Sequence, residues 1–360
     1  EMHNVLPTHG CIGGLSLLYL SCLNPGDEVI IPEPTYPAYT TLSMAARAVP
    51  VYVSVVRSHP FDSHSVLAQG ERDSKSSHKQ NKDNTHADQS DQSKKPLALS
   101  DEPFGQAQGE ESNGYEREIE QHEFALDVEK IKAVTTPKTK MIIFSNPWNP
   151  LGMVVPPATI RALLDWCQQR GIYLIVDEAY RDYAFTDAFK TVLPLVTQSE
   201  WLICASTFSK NFAMSGWRIG YLAIPQRLNK ALAGMQDAIL NCLSNPAQFA
   251  AVYALEHPEL VQQFHAMVKS NRDLTLDLLQ PLIDQNIVSA NTPDGSLFLF
   301  LKTEQVDATD LCMSILHQAK VSLVPGSAFG PSGGPFLRLC YARDAEYLRE
   351  GVRRLVKFFV

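Results

Sequence analysis

A lysine, two hydroxyl side chains and an arginine stand close together in the segment STFSKNFAMSGWRIG (206–220). Lys210 is flanked by Thr207 and Ser209, and Arg218 follows it eight residues later. A lysine amine forms a Schiff base with an aldehyde. Hydroxyls and the planar guanidinium of an arginine suit phosphate oxygens. The segment could therefore hold a phosphorylated aldehyde, although a lysine among serines is normally just solvated.

Further polar and aromatic side chains follow the other predicted strands. The apolar runs VIIP, MIIFS, IYLIV and WLICA each lead into such groups, namely Tyr36, Asn146, Asn149, Asp177, Tyr180 and Lys210. In open α/β sheets, ligands bind at the carboxyl ends of the strands. The sequence therefore predicts one cleft that combines an amine, a carboxylate, a phenol, an amide and an aromatic face.

These groups are the ones that pyridoxal 5′-phosphate (PLP) requires. A lysine binds the aldehyde, an acid pairs with the pyridinium nitrogen so that the ring can accept electrons, and an aromatic side chain covers the ring. Gly10, Cys11 and Ile12 begin a predicted helix, and the N-terminus of a helix attracts phosphate. We therefore predict PLP as the cofactor.

The order of the predicted elements indicates an α/β protein. Apolar strands alternate with amphipathic helices, which is typical of a mostly parallel sheet covered by helices. The predicted strands are 28–31, 49–56, 141–145, 172–176 and 201–205, with helices at 127–134 and 157–170. A long helical region from about 225 to 282 follows, and then a smaller α+β part with a strand at 297–301.

A polar segment interrupts this order between residues 58 and 123. Ser, Gln, Asp, Lys, Asn and His dominate there, and five of the ten histidines fall within it. Few apolar residues are present to offset the entropy of ordering, so we predict a disordered insertion. The histidines are irregularly spaced and no cysteine lies near them, which argues against a metal site. The predicted domains are a large PLP-binding domain (1–57 and 124–230), this insertion, and a connecting helix with a small C-terminal domain (231–360).

The motifs resemble, in order, those of fold-type-I PLP-dependent enzymes of the class I/II aminotransferase family. The segments that carry the resemblance are THGCIGG, PGDEVIIPEPTYPAY, NPWNPLG, DEAY, STFSKNFAMSGWRIGY and FLRLCYA. They cover the phosphate loop, the ring-stacking segment, the N-P-x-N-P-T-G motif, the acid–tyrosine motif, the lysine signature and the arginine for the substrate carboxylate. The resemblance implies a three-layer α/β/α large domain of the PLP-dependent transferase fold and a smaller C-terminal α+β domain.

The resemblance also implies a role for each matched residue around the ring. Lys210 would bind the cofactor and move a proton at the substrate α-carbon, and Asp177 would hold the pyridine nitrogen protonated. Tyr180 and Asn149 would reach the 3′-oxygen of the ring, and Tyr36 would stack on it. Tyr19, Tyr39 and Glu178 are interpreted as structural residues.

Further matched residues would hold the charged ends of the ligands. The phosphate would be bound by Gly10, Cys11, Ile12, Thr207, Ser209 and Arg218. Arg338 would pair with the substrate carboxylate, together with Asn149, and Arg343 is the alternative. The chain departs from the family pattern at Leu151, where threonine is usual, and at His9 and Cys11-Ile12. Each departure could change the phosphate contacts.

The predicted function is a PLP-dependent aminotransferase that moves an amino group from an L-amino acid to a 2-oxo acid by a ping-pong Schiff-base mechanism. A lyase, decarboxylase or synthase on the same fold is an alternative, because the same groups weaken any of three bonds at the α-carbon. A non-catalytic effector-binding domain of a regulator is another. Family members carry roughly eighty to a hundred further residues before the phosphate loop, so we expect an N-terminal part to be missing.

The composition of the chain limits the classes of partner that it can bind. The net charge of −8 argues against nucleic acid, which needs concentrated positive charge. We find no apolar run of roughly 18–20 residues that could span a membrane. The seven scattered cysteines are typical of reduced thiols in a cytoplasmic protein. The resemblance implies a homodimer.

Overall fold

The structure is a computed structural model that describes residues 2–57 and 123–360. The predicted insertion therefore lies outside the described residues except for Glu123. The described residues form two sheets, of which the larger has seven strands in the order β1-β7-β6-β5-β4-β2-β3. Its strands are β1 (Val5–Thr8), β2 (Glu28–Glu33), β3 (Val49–Ser54), β4 (Thr139–Ser145), β5 (Tyr173–Asp177), β6 (Leu202–Thr207) and β7 (Gly220–Ala223).

The centre of this sheet is parallel. Strand β2 pairs in parallel with β3 and β4, and β5 pairs in parallel with β4 and β6. Strand β7 runs antiparallel to both β6 and β1. The carboxyl ends of β2, β4, β5 and β6 therefore lie along one edge of the sheet, as the sequence predicts.

Helices cover both faces of the sheet, which explains the continuous apolar runs of its strands. The helices are α1 (Gly10–Cys22), α2 (Ala38–Ala45), α3 (Val128–Val134), α4 (Pro157–Arg170), α5 (Leu193–Val196), α6 (Gln226–Leu240), α7 (Asn245–Glu256), α8 (Glu259–Asp284), α9 (Thr309–Ala319) and α10 (Ala345–Phe359). In β4, Ile142 packs in the cluster that contains Leu163 of α4, whereas Ile143 packs on the other face with Leu15 of α1. Alternate side chains of one strand thus face two apolar layers.

The smaller sheet is antiparallel and lies in the C-terminal part of the chain. Its strands are β8 (Val288–Ser289), β9 (Phe298–Thr303), β10 (Val324–Pro325) and β11 (Phe336–Cys340), in the order β10-β11-β9-β8. Helices α8, α9 and α10 pack on it through one apolar cluster that includes Leu279, Ile315 and Leu355. The predicted fold class, a three-layer α/β/α part with a smaller α+β part, is confirmed.

The long helical region predicted between 225 and 282 consists of three helices, α6, α7 and α8. Asn241 ends α6 with a positive φ of 56°. Between α7 and α8, His257 precedes Pro258, and a residue before proline avoids the helical conformation. In the part of the chain that the structure describes, no helix is both long enough and apolar enough to cross a membrane.

Candidate functional site

The carboxyl ends of β2, β4, β5 and β6 surround a cleft of about 670 Å³, part of which is open to solvent. All predicted site residues except Gly10 and Arg338 line it: Cys11, Ile12, Tyr36, Asn149, Asp177, Tyr180, Thr207, Ser209, Lys210 and Arg218. Tyr39, Ser145, Ala179 and Ser215 line it as well. The cleft therefore brings together segments that lie almost 210 residues apart in the sequence.

One end of the cleft is formed by the start of α1 and by the segment after β6. The side chain of Arg218 lies directly on Gly10, because a Cβ added to this glycine would stand 2.6 Å from Nη2 of the arginine. The Thr207 hydroxyl donates to the hydroxyl of Ser209 over 2.9 Å. The first N–H groups of a helix have no partner within the helix. This end thus presents backbone N–H groups, hydroxyls and a guanidinium, which together suit a phosphate.

Gly220 allows this close packing. A Cβ at this position, the first residue of β7, would lie 2.7 Å from the carbonyl oxygen of Ser206 and 2.8 Å from the backbone nitrogen of Cys11. Both neighbours are backbone atoms in regular elements and cannot move aside. Only glycine lets β7 pass so close to the start of α1.

Asp177 is the last residue of β5 and provides a buried carboxylate at the floor of the cleft. Its Oδ2 accepts a hydrogen bond of 2.8 Å from the Tyr39 hydroxyl, and its Oδ1 accepts one of 3.0 Å from the backbone N–H of Ala179. Burial raises the pKa of this carboxyl, whereas these donors, the thiol of Cys11 and the charge of Lys210 oppose that rise. Among the described residues, the ion pairs found within 4 Å do not include Asp177. A ligand that presents a cationic N–H would supply the missing partner.

Tyr39 is a site residue that the sequence analysis missed. It is fully buried, in keeping with the interpretation as a core residue. However, its hydroxyl contacts Asp177, and its ring meets that of Tyr36 edge-on with centroids 5.7 Å apart. The spacing in YPAY could have indicated this, since Tyr36 lies two residues before α2 and Tyr39 lies in its first turn, where the Tyr39 backbone N–H donates to the Tyr36 carbonyl over 3.2 Å.

Lys210 follows β6 by three residues, and its side chain extends into the cleft. Its Nζ lies 6.0 Å from the centroid of the Tyr180 ring, which is buried. Burial also raises the pKa of the Tyr180 hydroxyl. The amine and the phenol thus face the same space, as the strand-end pattern predicts.

Arg338 lies on β11 of the smaller sheet, next to the cleft rather than within its lining. Its guanidinium carbon stands 4.1 Å from the ring centroid of Phe298 and 4.6 Å from that of Phe329. Nη1 donates to Oδ1 of Asn149 over 3.1 Å, and the buried Nε has no hydrogen-bond partner. Burial lowers the pKa of this arginine. A guanidinium held flat with free donors is suited to a carboxylate, whereas Arg343 is exposed.

Two polar residues near the cleft make contacts that stabilise the fold. Glu178 is fully buried, and its carboxylate accepts from the Thr191 hydroxyl at 2.6 Å and from the backbone N–H of Val192 at 2.7 Å. Asn146 accepts from the backbone N–H of Val155 at 2.9 Å and so shapes the loop after β4. The structural interpretation of Glu178 agrees with these contacts.

The residues present fit PLP and give no support for a metal. The cleft combines an anion-binding end, a buried carboxylate without an ion-pair partner and a lysine amine. Within residues 2–57 and 123–360, no group of three or more His, Cys, Asp or Glu side chains could hold a metal ion.

Comparison with known proteins agrees with the geometry. Residues 1–83 and 113–355 match the family described as aminotransferase class I and II. A probable aspartate/prephenate aminotransferase from Aquifex aeolicus is 34% identical over 245 residues, which are 65% of this chain and 61% of that protein. An aspartate aminotransferase from Sulfurisphaera tokodaii is 26% identical over 361 residues, covering 98% of this chain and 74% of that protein.

Solved structures share the fold. A double mutant of Thermus thermophilus aspartate aminotransferase has a TM-score of 0.75 at 24% identity, covering 99% of this chain and 76% of that one. An aromatic aminotransferase from Pyrococcus horikoshii has a TM-score of 0.75 at 23% identity, covering 98% of this chain and 79% of that one. Since the family match extends over most of its length, this chain belongs to the aminotransferase class I and II family.

Proposed function

We propose that this protein is a PLP-dependent aminotransferase that moves an amino group from an L-amino acid to a 2-oxo acid in a ping-pong reaction. The observation that supports this most is the meeting of Lys210, Asp177 and the Arg218–Gly10 contact in one cleft, with Arg338 beside it. Relatives named aspartate aminotransferases support an amino acid and an oxo acid as substrates.

Each end of the cofactor has a complementary group in this proposal. Bound PLP supplies an electron sink that stabilises negative charge at the substrate α-carbon. Its phosphate would be held by the start of α1 with Arg218 and the hydroxyls of Thr207 and Ser209. Asp177 would accept from the ring N–H, Tyr36 would cover the ring face, and Tyr180 and Asn149 would hydrogen-bond to the 3′-oxygen.

Lys210 has two tasks. Its amine would hold the cofactor through the aldehyde and would become free when an amino acid is bound. The freed amine would then serve as the general base for the α-proton of the substrate and as the general acid that returns it, which requires donor and acceptor to lie within hydrogen-bond reach. Tyr180, whose ring centroid lies 6.0 Å from this amine, lines the same cleft.

Arg338 orients the substrate. Its guanidinium can bind the α-carboxylate with two parallel hydrogen bonds, and the rings of Phe298 and Phe329 keep it from rotating. Because a fixed carboxylate fixes the α-carbon as well, this contact helps to place the α-proton within reach of Lys210.

We further propose a homodimer in the cytoplasm and the two-domain division given above. Support for a partner copy comes from α7, where Phe249 is 78% exposed and Tyr253 is 57% exposed. Such exposed apolar side chains on one helix are typical of a covered surface. The division has support from the two separate sheets.

A half-reaction tests the proposed activity. The cofactor-loaded protein is mixed with single amino acids, and its visible absorbance is followed together with the products. We expect the absorbance of the Lys210-bound cofactor to disappear as the matching 2-oxo acid is released, and Lys210→Ala to lack this absorbance from the start. Release of carbon dioxide, ammonia or a side-chain fragment would instead support a lyase, decarboxylase or synthase. No product from any amino acid would support an effector-binding domain.

A further inference from the structure

We propose that Arg181, Asp182 and Tyr183 are positioning residues that fix Lys210 relative to Asp177. These residues form a short 3-10 turn directly after Tyr180, and none of them lines the cleft. The inference rests on the proposed function, because it concerns the placement of the lysine that binds the cofactor.

Two neighbouring side chains of this turn hold two neighbouring residues of the lysine segment. The Tyr183 hydroxyl donates to the backbone carbonyl of Lys210 over 3.0 Å. The side-chain amide of Asn211 donates to Oδ2 of Asp182. The chain directly after the lysine Cα is therefore tied to the turn, through the Lys210 carbonyl and the Asn211 side chain.

Arg181 holds the far end of the same segment. Its Nη1 donates to the Tyr221 hydroxyl over 2.7 Å. Tyr221 lies on β7, three residues after Arg218, and its ring contacts that of Phe208 with centroids 6.2 Å apart. The turn thus contacts the lysine–arginine segment at Lys210 and again at Tyr221, just beyond Arg218.

The lysine segment needs such side-chain contacts because its own backbone bonding is weak. Between β6 and the 3-10 turn Ser215–Trp217, Phe212 and Met214 donate to the same Phe208 carbonyl over 3.3 and 3.4 Å. Ala213 has a positive φ of 53°. The backbone around Lys210 therefore has no regular hydrogen-bond ladder to hold it in place.

The contacts connect the two segments that must hold opposite sides of one rigid ring. Asp177 lies at the end of β5 and Lys210 beyond β6, so their separation depends on how these two loops are joined. A pyridine ring has a fixed width between its nitrogen and the aldehyde carbon. The turn follows Asp177 by four residues and reaches Lys210 directly, so it sets that separation. Misplacement of a reacting group by about 1 Å can cost on the order of a hundredfold in rate.

The test uses two independent contacts. One variant is Tyr183→Phe, which keeps the buried ring and removes only the hydroxyl. The others are Asp182→Asn, Asn211→Asp and the double variant Asp182→Asn/Asn211→Asp, in which the amide at position 182 donates to the carboxylate at 211. Tyr173→Phe is the matched control, because it removes a hydroxyl that accepts from Arg227, far from the cleft, on the same strand as Asp177.

The readout is the pH titration of the visible absorbance of the Lys210-bound cofactor, with the thermal midpoint of the cofactor-free protein measured beside it. We expect Tyr183→Phe and Asp182→Asn to shift the titration midpoint by about half a pH unit or more, since it depends on the hydrogen bonds and charges around the lysine nitrogen. We also expect cofactor uptake to slow about tenfold. Tyr173→Phe should leave both unchanged, and the double variant should recover towards the wild-type midpoint.

An unchanged titration midpoint in Tyr183→Phe, with a lowered thermal midpoint alone, would mean that the turn only stabilises the fold and would overturn the inference. If Asp182→Asn does not fold, Tyr183→Phe decides on its own. The proposed function fails separately: a wild-type protein that shows the absorbance and its titration but releases no oxo acid would contradict transamination and leave this inference standing.

Discussion

At the residue scale, we expect the carboxylate of Asp177 to affect stability and cofactor binding in opposite directions. Burial raises its pKa, so the cofactor-free native state binds a proton more tightly than the unfolded chain does. The sign follows from linkage: the free energy of unfolding falls as the pH rises from the unfolded pKa of about 3.9 through the raised folded value. Above that range the native state carries the full cost of a buried charge.

Asp177→Asn should remove this pH dependence. The Tyr39 hydroxyl can reverse its hydrogen bond to accept from the new amide, so the cofactor-free variant should be more stable than the wild type at neutral pH. Its affinity for PLP should fall roughly 30- to 150-fold, the loss expected for a charged hydrogen bond of about 2–3 kcal/mol. Urea unfolding of both proteins from pH 4 to 8, with cofactor titration by fluorescence, checks this. A variant that is less stable at every pH would contradict it.

Arg338 should affect substrate binding without affecting the cofactor. Arg338→Lys keeps the charge but loses the planar pair of donors, so the KM for both substrates should rise by about tenfold to a hundredfold. Its visible cofactor absorbance should stay as in the wild type. Steady-state kinetics provide the measurement, and Arg343→Lys is the control at an exposed position. If the two variants behaved alike, the assignment of the carboxylate to Arg338 would be wrong.

At the element scale, the contact between β7 and the start of α1 depends on a missing side chain. Gly220→Ala should lower the free energy of unfolding by about 1–3 kcal/mol, because the new methyl group would overlap backbone atoms of Ser206 and Cys11. PLP affinity should fall too, since the same overlap pushes the phosphate end apart. Urea unfolding and cofactor titration measure the two effects.

Gly234→Ala is the control for this substitution. Gly234 lies on the exposed side of α6, and nothing stands within 4 Å of an added Cβ. Alanine there should stabilise the protein by up to about 1 kcal/mol, because glycine costs more backbone entropy in a helix. Equal destabilisation at both positions would mean that the close approach at Gly220 is not the cause.

The regular helices and strands were predicted better than the short ones. The helix predicted at 157–170 has these bounds in the structure, because proline precedes it and Gly171 ends it with a φ of 66°. Strands β1 and β7 were not predicted. Each has four residues, and β1 contains Pro7, which is tolerated because this strand is at the edge of the sheet. Short strands of this kind form through pairing with a distant partner and leave little local pattern.

At the scale of the whole molecule, the polar segment between 58 and 122 should be dispensable for folding. Its two ends are joined: Arg57 donates its backbone N–H to Glu123 over 2.7 Å, and Val56 bridges Phe124 in antiparallel fashion. A two-residue Asn-Gly turn can close such a pair. We expect deletion of 58–122 with this turn to leave the protein folded and to raise the free energy of unfolding by up to about 3 kcal/mol, since closing a loop costs roughly 0.6 kcal/mol less for each halving of its length.

Thermal unfolding and cofactor absorbance of the shortened chain measure this outcome. Replacing 58–122 by a flexible Gly/Ser linker of equal length serves as the control, because it keeps the connection but removes the sequence. Loss of cofactor binding in both proteins would show that the segment contributes to the site. Loss in the shortened chain alone would show that its length matters.

The sequence by itself determined the fold class and predicted the cofactor chemistry. Lys210, Asp177 and the strand ends are read from local patterns, since apolar runs predict strands and parallel strands deliver their next residues to one edge. The tertiary structure decided which groups touch. Tyr39 donates to Asp177, Phe298 and Phe329 flank Arg338, and Tyr183 holds Lys210. Each of these contacts joins segments that lie far apart in the sequence. They depend on the direction of each side chain in the folded protein, which the pattern of residue types does not specify.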